Sequence, residues 1–406
     1  MPSVSSPSGA SARPGGTGRA HIAALDGLRG CAVAAVLLFH AGHLRGGFLG
    51  VDLFFVLSGY LITGLLLGEA EQRGRIAPAV FWGRRARRLL PALVCVAVVS
   101  VPATWMWGSA EQLRFALDDL PWVGAQAVNW HYIAERIGYW NASDTRVFAH
   151  LWSIGVEWQF YVAWPLVVAS AARGRRGEWI VAALAGVGSS VSLVLTVSLG
   201  AAVDTTRAYE GTDTRAAALL LGALAATAPV RRLVRRLPHR AADPVCLVLG
   251  CGLLVAWAVT EGEKAPLLFR GGLHVHALAA AVLIVLMAQV PGTLAARIAG
   301  SRLPRGLGGL SYSLYLWHWP VYLLVLPRLT ALGEWGATVA AIGVSLMAAA
   351  VTKRFVEDPV RFRTGWARGH RGVLTVAAVA LTGVVLWAAV PEPVPGAGTV
   401  DVDRLR

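Results

Sequence analysis

Residues 25–42 read LDGLRGCAVAAVLLFHAG. As a helix rising 1.5 Å per residue, this run is long enough to cross most of the roughly 30 Å hydrocarbon core of a bilayer, yet it carries an aspartate, an arginine and a histidine. Apolar runs of this kind recur ten more times, at 47–68, 89–108, 150–171, 178–200, 215–229, 243–260, 273–290, 308–327, 333–352 and 372–391. Together they leave a 406-residue chain that is only 15% charged, with mean hydropathy +0.57, where an average soluble domain is roughly 25% charged. A water-soluble fold cannot cover its exterior with so few polar groups. The sequence therefore specifies an all-α polytopic membrane protein with about 11 transmembrane helices.

The charges set the expected topology. Lys+Arg number 37 against 23 Asp+Glu, a net +14, and Lys264 and Lys353 are the only lysines. The basic residues lie in short clusters between apolar runs, without the interleaved exposed aromatics of a nucleic-acid surface, so no nucleic-acid partner is expected. A further candidate span, 116–133, is settled by the positive-inside rule. If it does not cross, one side of the membrane holds 25 Lys/Arg and the other 10, with Arg29 and Arg215 inside helix ends. If it crosses, the clusters at 231–240 and 361–371 face outward. The expectation is a bacterial cytoplasmic membrane protein with its N-terminus inside and its C-terminus outside.

Residues 1–20 lack an apolar core and read as a disordered cytoplasmic tail rather than a signal peptide. Residues 392–406 read as an extracytoplasmic tail. Cys31, Cys95, Cys246 and Cys251 all lie in apolar runs without metal-ligand spacing, so no metal site is indicated.

An ionisable side chain at mid-helix costs roughly 2.5–3.5 kcal/mol on insertion scales, which makes each one a functional candidate. Arg29 and His40 are eleven residues apart, about three turns plus 20°, so they share one face about 16 Å apart. Asp52 sits in the second span near the depth of His40, where a carboxylate could fix the tautomer of a general-base imidazole. In the fourth span His150, Ser153 and Glu157 form one stripe, and Arg215, opening the sixth, is a plausible partner for Glu157. Tyr315 and His318 share a face of the ninth span. Arg84, Arg85, Arg87 and Arg88, in the loop before the third, could anchor topology or hold phosphates, with acyl-CoA the abundant cytosolic candidate.

These residues, in this order, resemble the acyltransferase 3 family of integral-membrane O-acyltransferases. The motifs that carry the likeness are LDGLRG with Arg29-x10-His40, GVDLFFVLSGYLIT at 50–63, FWGRRARRLLP at 81–91, HLWSIGVEWQFYVAWP at 150–165, TDTRAAALLLGAL at 212–224, LSYSLYLWHWP at 310–320 and RFVEDPVR at 354–361. The resemblance implies a ten-helix core, here 21–366, with 367–391 as one extra C-terminal helix. It implies an acyl-CoA donor, no permanently bound cofactor, and acyl transfer, often acetyl, to a hydroxyl of a saccharide, glycolipid or glycosylated natural product. The family's Arg-His pair falls on Arg29 and His40, its R-x-x-R element on Arg85 and Arg88 with Arg84 and Arg87 an overlapping alternative, and its glutamate on Glu157. Where many members have a second acidic residue, this chain has Trp158.

The mechanism this suggests uses His40 as general base, Asp52 or Glu157 to orient or charge-balance it, and the arginines for the donor's phosphates. His150, Ser153, Arg215, Tyr315 and His318 are assigned to the acceptor. Some members carry an extracytoplasmic esterase-like domain; this sequence ends 15 residues past its last span, so catalysis is expected from the membrane domain. A transporter would use the same buried charges, but the sequence shows no inverted repeat.

Overall fold

The computed structural model describes residues 22–140, 145–174, 176–200, 204–262, 265–290 and 292–363, with isolated positions between 378 and 388. The two expected tails fall outside these residues, as does nearly all of the helix expected at 372–391. Among the described residues the chain is helical, without strands. Among these residues seven helices are long and apolar enough to cross a membrane, and a bent pair, Thr206–Ala225 and Ala228–Arg235, broken by 61°, would make an eighth span if it crosses as one. Two more, of 20 and 23 residues, are long enough but carry the polar side chains described below.

In chain order the elements are α1 (Ala23–His40), α2 (Gly50–Arg73), α3 (Pro78–Trp107), α4 (Ala110–Gly124), α5 (Val128–Ala134), α6 (Trp152–Ala171), α7 (Gly177–Leu199), α8 (Thr206–Glu210), α9 (Thr212–Ala225), α10 (Ala228–Arg235), α11 (His239–Val259), α12 (Leu273–Gln289), α13 (Leu294–Ala299), α14 (Arg302–Leu324) and α15 (Gly333–Thr352). The 116–133 stretch divides between α4 and α5, with Gln126 at φ 58° between them. At 15 and 7 residues, neither reaches the roughly 20 residues a crossing needs. A capping box on Ser109 and Gln112 starts α4 just after α3 ends.

Helices in lipid gain little from apolar contact alone, so close backbone approach holds this bundle together. Four glycines provide it, three of them within the motifs. A Cβ on Gly30 would lie 2.0 Å from the Pro304 carbonyl oxygen, and one on Gly308 1.8 Å from that of Asp26, which locks α1 against α14. Gly59 and Gly222 do the same for α2 and α9, at 1.8 and 2.0 Å from the Leu219 and Val56 oxygens. Arg29 and His40 on α1 are thereby fixed relative to His318 on α14, and Asp52 on α2 relative to Arg215 on α9.

The start of α3 differs from the sequence expectation. The helix begins at Pro78, eleven residues before the apolar run, so Arg84, Arg85, Arg87 and Arg88 ride on it rather than on a preceding loop. Proline suits the first helical turn, and the alanines and arginines that follow are good helix formers, so nothing ends the helix at the membrane surface.

Candidate active site

Placing the four arginines on a helix separates them. Arg85 and Arg88, three residues apart, face a cleft between α1, α2, α3, α6 and α14 that they line with Arg29, Ser58, Glu157 and Tyr161. Arg84 instead reaches Glu69 at 3.1 Å, and neither it nor Arg87 lines the cleft. The cleft encloses about 720 Å³ of space not filled by atoms, its open mouth included. Neither Arg85 nor Arg88 has an ion-pair partner among the described residues, and the Arg85 guanidinium lies over the Phe81 and Tyr161 rings at 5.4 and 5.8 Å.

Glu157 is the cleft's carboxylate. Ser58 Oγ and Tyr161 Oη donate to its two oxygens at 2.7 and 2.9 Å, and Arg29 and Arg85 are its charged neighbours. Three guanidinium groups around one carboxylate leave the cleft net positive, and a planar fork of donors suits phosphate oxygens. Along α2 the lining runs from Ile62 to Val51, eleven residues or about 16 Å. At the far end stand Ser153 and Tyr315, joined Oγ to Oη at 2.7 Å, with Tyr315 Oη also donating to the His150 carbonyl at 2.8 Å.

His40 does not line this cleft. It lies in a cluster of rings behind Tyr315. Its Nδ1 is 3.0 Å from His318 Nε2, and its ring centroid is 4.6 Å from that of Trp319. His318 Nδ1 is 2.6 Å from the Tyr315 carbonyl oxygen. The His150 ring centroid is 5.4 Å from that of His318, its Nε2 donates to the Leu316 carbonyl at 3.2 Å, and its buried Nδ1 has no hydrogen-bond partner.

Two expected pairings are replaced. Asp52 does not orient His40 and Arg215 does not meet Glu157: Asp52 Oδ1 and Arg215 Nη2 pair with each other at 2.8 Å, at 1% and 3% exposure, under the Tyr209 ring. The reason is packing, since α2 lies against α9, and a permanently charged guanidinium compensates a buried carboxylate as a neutral imidazole cannot. The expected acceptor set is likewise divided: Ser153 and Tyr315 close the cleft, His150 and His318 join the ring cluster, and Arg215 lies apart.

Sequence reasoning missed the support for this site. Ser58 and Tyr161 hold Glu157, and Trp319 covers His40. Trp319 Nε1 donates to the Arg146 carbonyl at 3.0 Å, and the Arg146 guanidinium meets Asp119, whose other oxygen accepts from Tyr132 Oη at 2.8 Å. Buried His131 and the exposed Asp118 complete that group. Burial pushes the Asp119 carboxyl up to about 7, although Arg146 and Tyr132 pull the other way. The Asp119 group alone draws on four separate stretches of chain, at 118–119, 131–132, 146 and 319, and no periodicity in the sequence joins them.

Comparison with known proteins agrees with the motifs. A family described as an acyltransferase domain matches residues 22–354. The peptidoglycan O-acetyltransferase OatA of Listeria monocytogenes is 33% identical over 363 residues, 87% of this chain and 58% of that protein. The O-acetyltransferase OatA of Staphylococcus aureus is 32% identical over 355 residues, 84% of this chain and 57% of that protein. The putative peptidoglycan O-acetyltransferase YrhL of Bacillus subtilis is 33% identical over 365 residues, 84% of this chain and 55% of that protein. The chain thus spans somewhat over half the length of these relatives. No solved structure matches it.

Proposed function

Because this chain belongs to the acyltransferase 3 family, we propose that it is a membrane-embedded O-acyltransferase moving an acyl group, acetyl in the simplest case, from acyl-CoA to a saccharide hydroxyl. The observation that carries the donor half of this reading is the cleft with Arg29, Arg85 and Arg88, the last two without an ion pair among the described residues. The donor's phosphates bind there, and its pantetheine arm lies along α2 toward Ser153 and Tyr315. The cation-rich end lies near the start of α1, the side to which the positive-inside count assigns the cytoplasm. His40 stands at the end of α1, nearer the opposite face.

For transfer, the thioester carbonyl reaches past Tyr315 to the His40 side. His40 takes the proton of the acceptor hydroxyl as that oxygen attacks the carbonyl carbon. The tetrahedral intermediate collapses with cleavage of the C–S bond, the thiolate leaves and takes up a proton, and an ester and free CoA result. A thioester is activated enough for base catalysis and positioning to suffice. The names of the relatives make a cell-wall glycan the first acceptor to test.

The experiment is thioester turnover by purified protein in lipid nanodiscs with labelled acetyl-CoA and soluble glycan fragments. Label arriving on the glycan with release of CoA supports the reading. An intact thioester would overturn it in favour of a carrier. Arg85→Gln with Arg88→Gln should raise KM for acetyl-CoA at least tenfold and leave KM for the acceptor unchanged.

A further inference from the structure

The contacts around His318 determine where its proton lies. The Tyr315 carbonyl oxygen, 2.6 Å from His318 Nδ1, can only accept, so Nδ1 carries hydrogen. A neutral imidazole has one N–H, so His318 Nε2 presents a lone pair. His40 Nδ1, 3.0 Å away, must then donate to it. His40 consequently keeps its own proton on Nδ1 and bears its lone pair on Nε2, the nitrogen a general base needs free. The reverse arrangement would require a doubly protonated His318, a cation at 0% exposure without an anion beside it among the described residues. The nearby carboxylates are engaged elsewhere, Asp52 by Arg215 and Glu157 by Ser58 and Tyr161.

We propose that His318 is the positioning residue for His40, filling with a neutral imidazole the place a carboxylate would take beside a catalytic histidine. This rests on the reading of His40 as general base. When His40 Nε2 takes the hydroxyl proton, its Nδ1–H bond to His318 Nε2 strengthens, and the two rings share one added positive charge until it passes to the leaving thiolate. Trp319 against the His40 ring, anchored through its Nε1 to the Arg146 carbonyl, keeps that ring from turning over.

The test combines kinetics with ¹⁵N NMR of histidine-labelled protein in nanodiscs. His318→Leu should lower kcat about a hundredfold, the scale of one general acid–base contribution, with KM for acetyl-CoA within twofold of native. His318→Gln, whose side-chain oxygen can accept the same bond, should recover at least a tenth of native kcat. The His40 ring of the native protein should show protonated Nδ1 and bare Nε2. A Nε2-protonated His40, or native kcat in His318→Leu, would overturn the proposal. A native protein that leaves the thioester intact would instead overturn the O-acyltransferase reading, while the tautomer measurement would still decide the contact.

Discussion

Asp52 shows what a buried charge demands. Removing one member of an ion pair this deep leaves the other uncompensated, which typically costs 3–5 kcal/mol. Asp52→Asn or Arg215→Gln alone should therefore lower the thermal midpoint of the solubilised protein strongly, and the double variant should recover part of the loss. Equal midpoints in native and single variants would refute a structural role for the pair. Asp119 gives a pH dependence with a definite sign. Its carboxyl holds a proton up to about pH 7 in the fold, whereas an unperturbed aspartate releases it near pH 4. The stability this site contributes is fullest below about pH 4 and is lost as pH rises toward 7. Relative to Asp119→Asn, the native protein should lose thermal stability between about pH 4 and 7; a constant difference would contradict this. Most of these polar residues, from Arg29 and His40 to Glu157 and Arg215, are legible in the sequence because a charge in an apolar run is conspicuous. Their pairings are not, because sequence gives depth along each helix and leaves open which helices touch.

Helical periodicity divides the arginines of α3 into two faces, and that division is testable. Arg85→Gln should raise KM for acetyl-CoA, whereas Arg84→Gln, which loses only the Glu69 contact, should leave it within twofold of native. Equal effects would mean that the faces do not matter. Hydropathy located α3 but misjudged its start, because an apolar run marks where lipid begins and not where the helix does. The motif glycines are legible in the same partial way. Gly30 and Gly59 stand out in LDGLRG and LSGYL, but only the packed structure identifies the facing carbonyls of Pro304 and Leu219. Gly59→Leu should separate α2 from α9, break the Asp52–Arg215 pair and reduce the yield of folded protein; a native yield and midpoint would contradict the close packing.

At the scale of the molecule, the cation-lined cleft and the His40–His318 pair lie in succession along the bundle, with Tyr315 and Ser153 between them. The all-α membrane class follows from hydropathy alone, and the broken α4–α5 segment agrees with reading 116–133 as a stretch that does not cross as one helix. The site's layout needed tertiary structure, since it draws on α1, α2, α3, α6 and α14, which are distant in sequence. The proposed function implies a sided reaction, with the donor entering where α1 begins and the acceptor acylated where α1 ends. The direct measurement uses native and His40→Ala protein in oriented proteoliposomes, with labelled acetyl-CoA supplied to either face and glycan fragments to the other. The account predicts label on the glycan only for native protein with donor on the face where α1 begins, and none for His40→Ala at equal insertion. Transfer by His40→Ala at the native rate would contradict it.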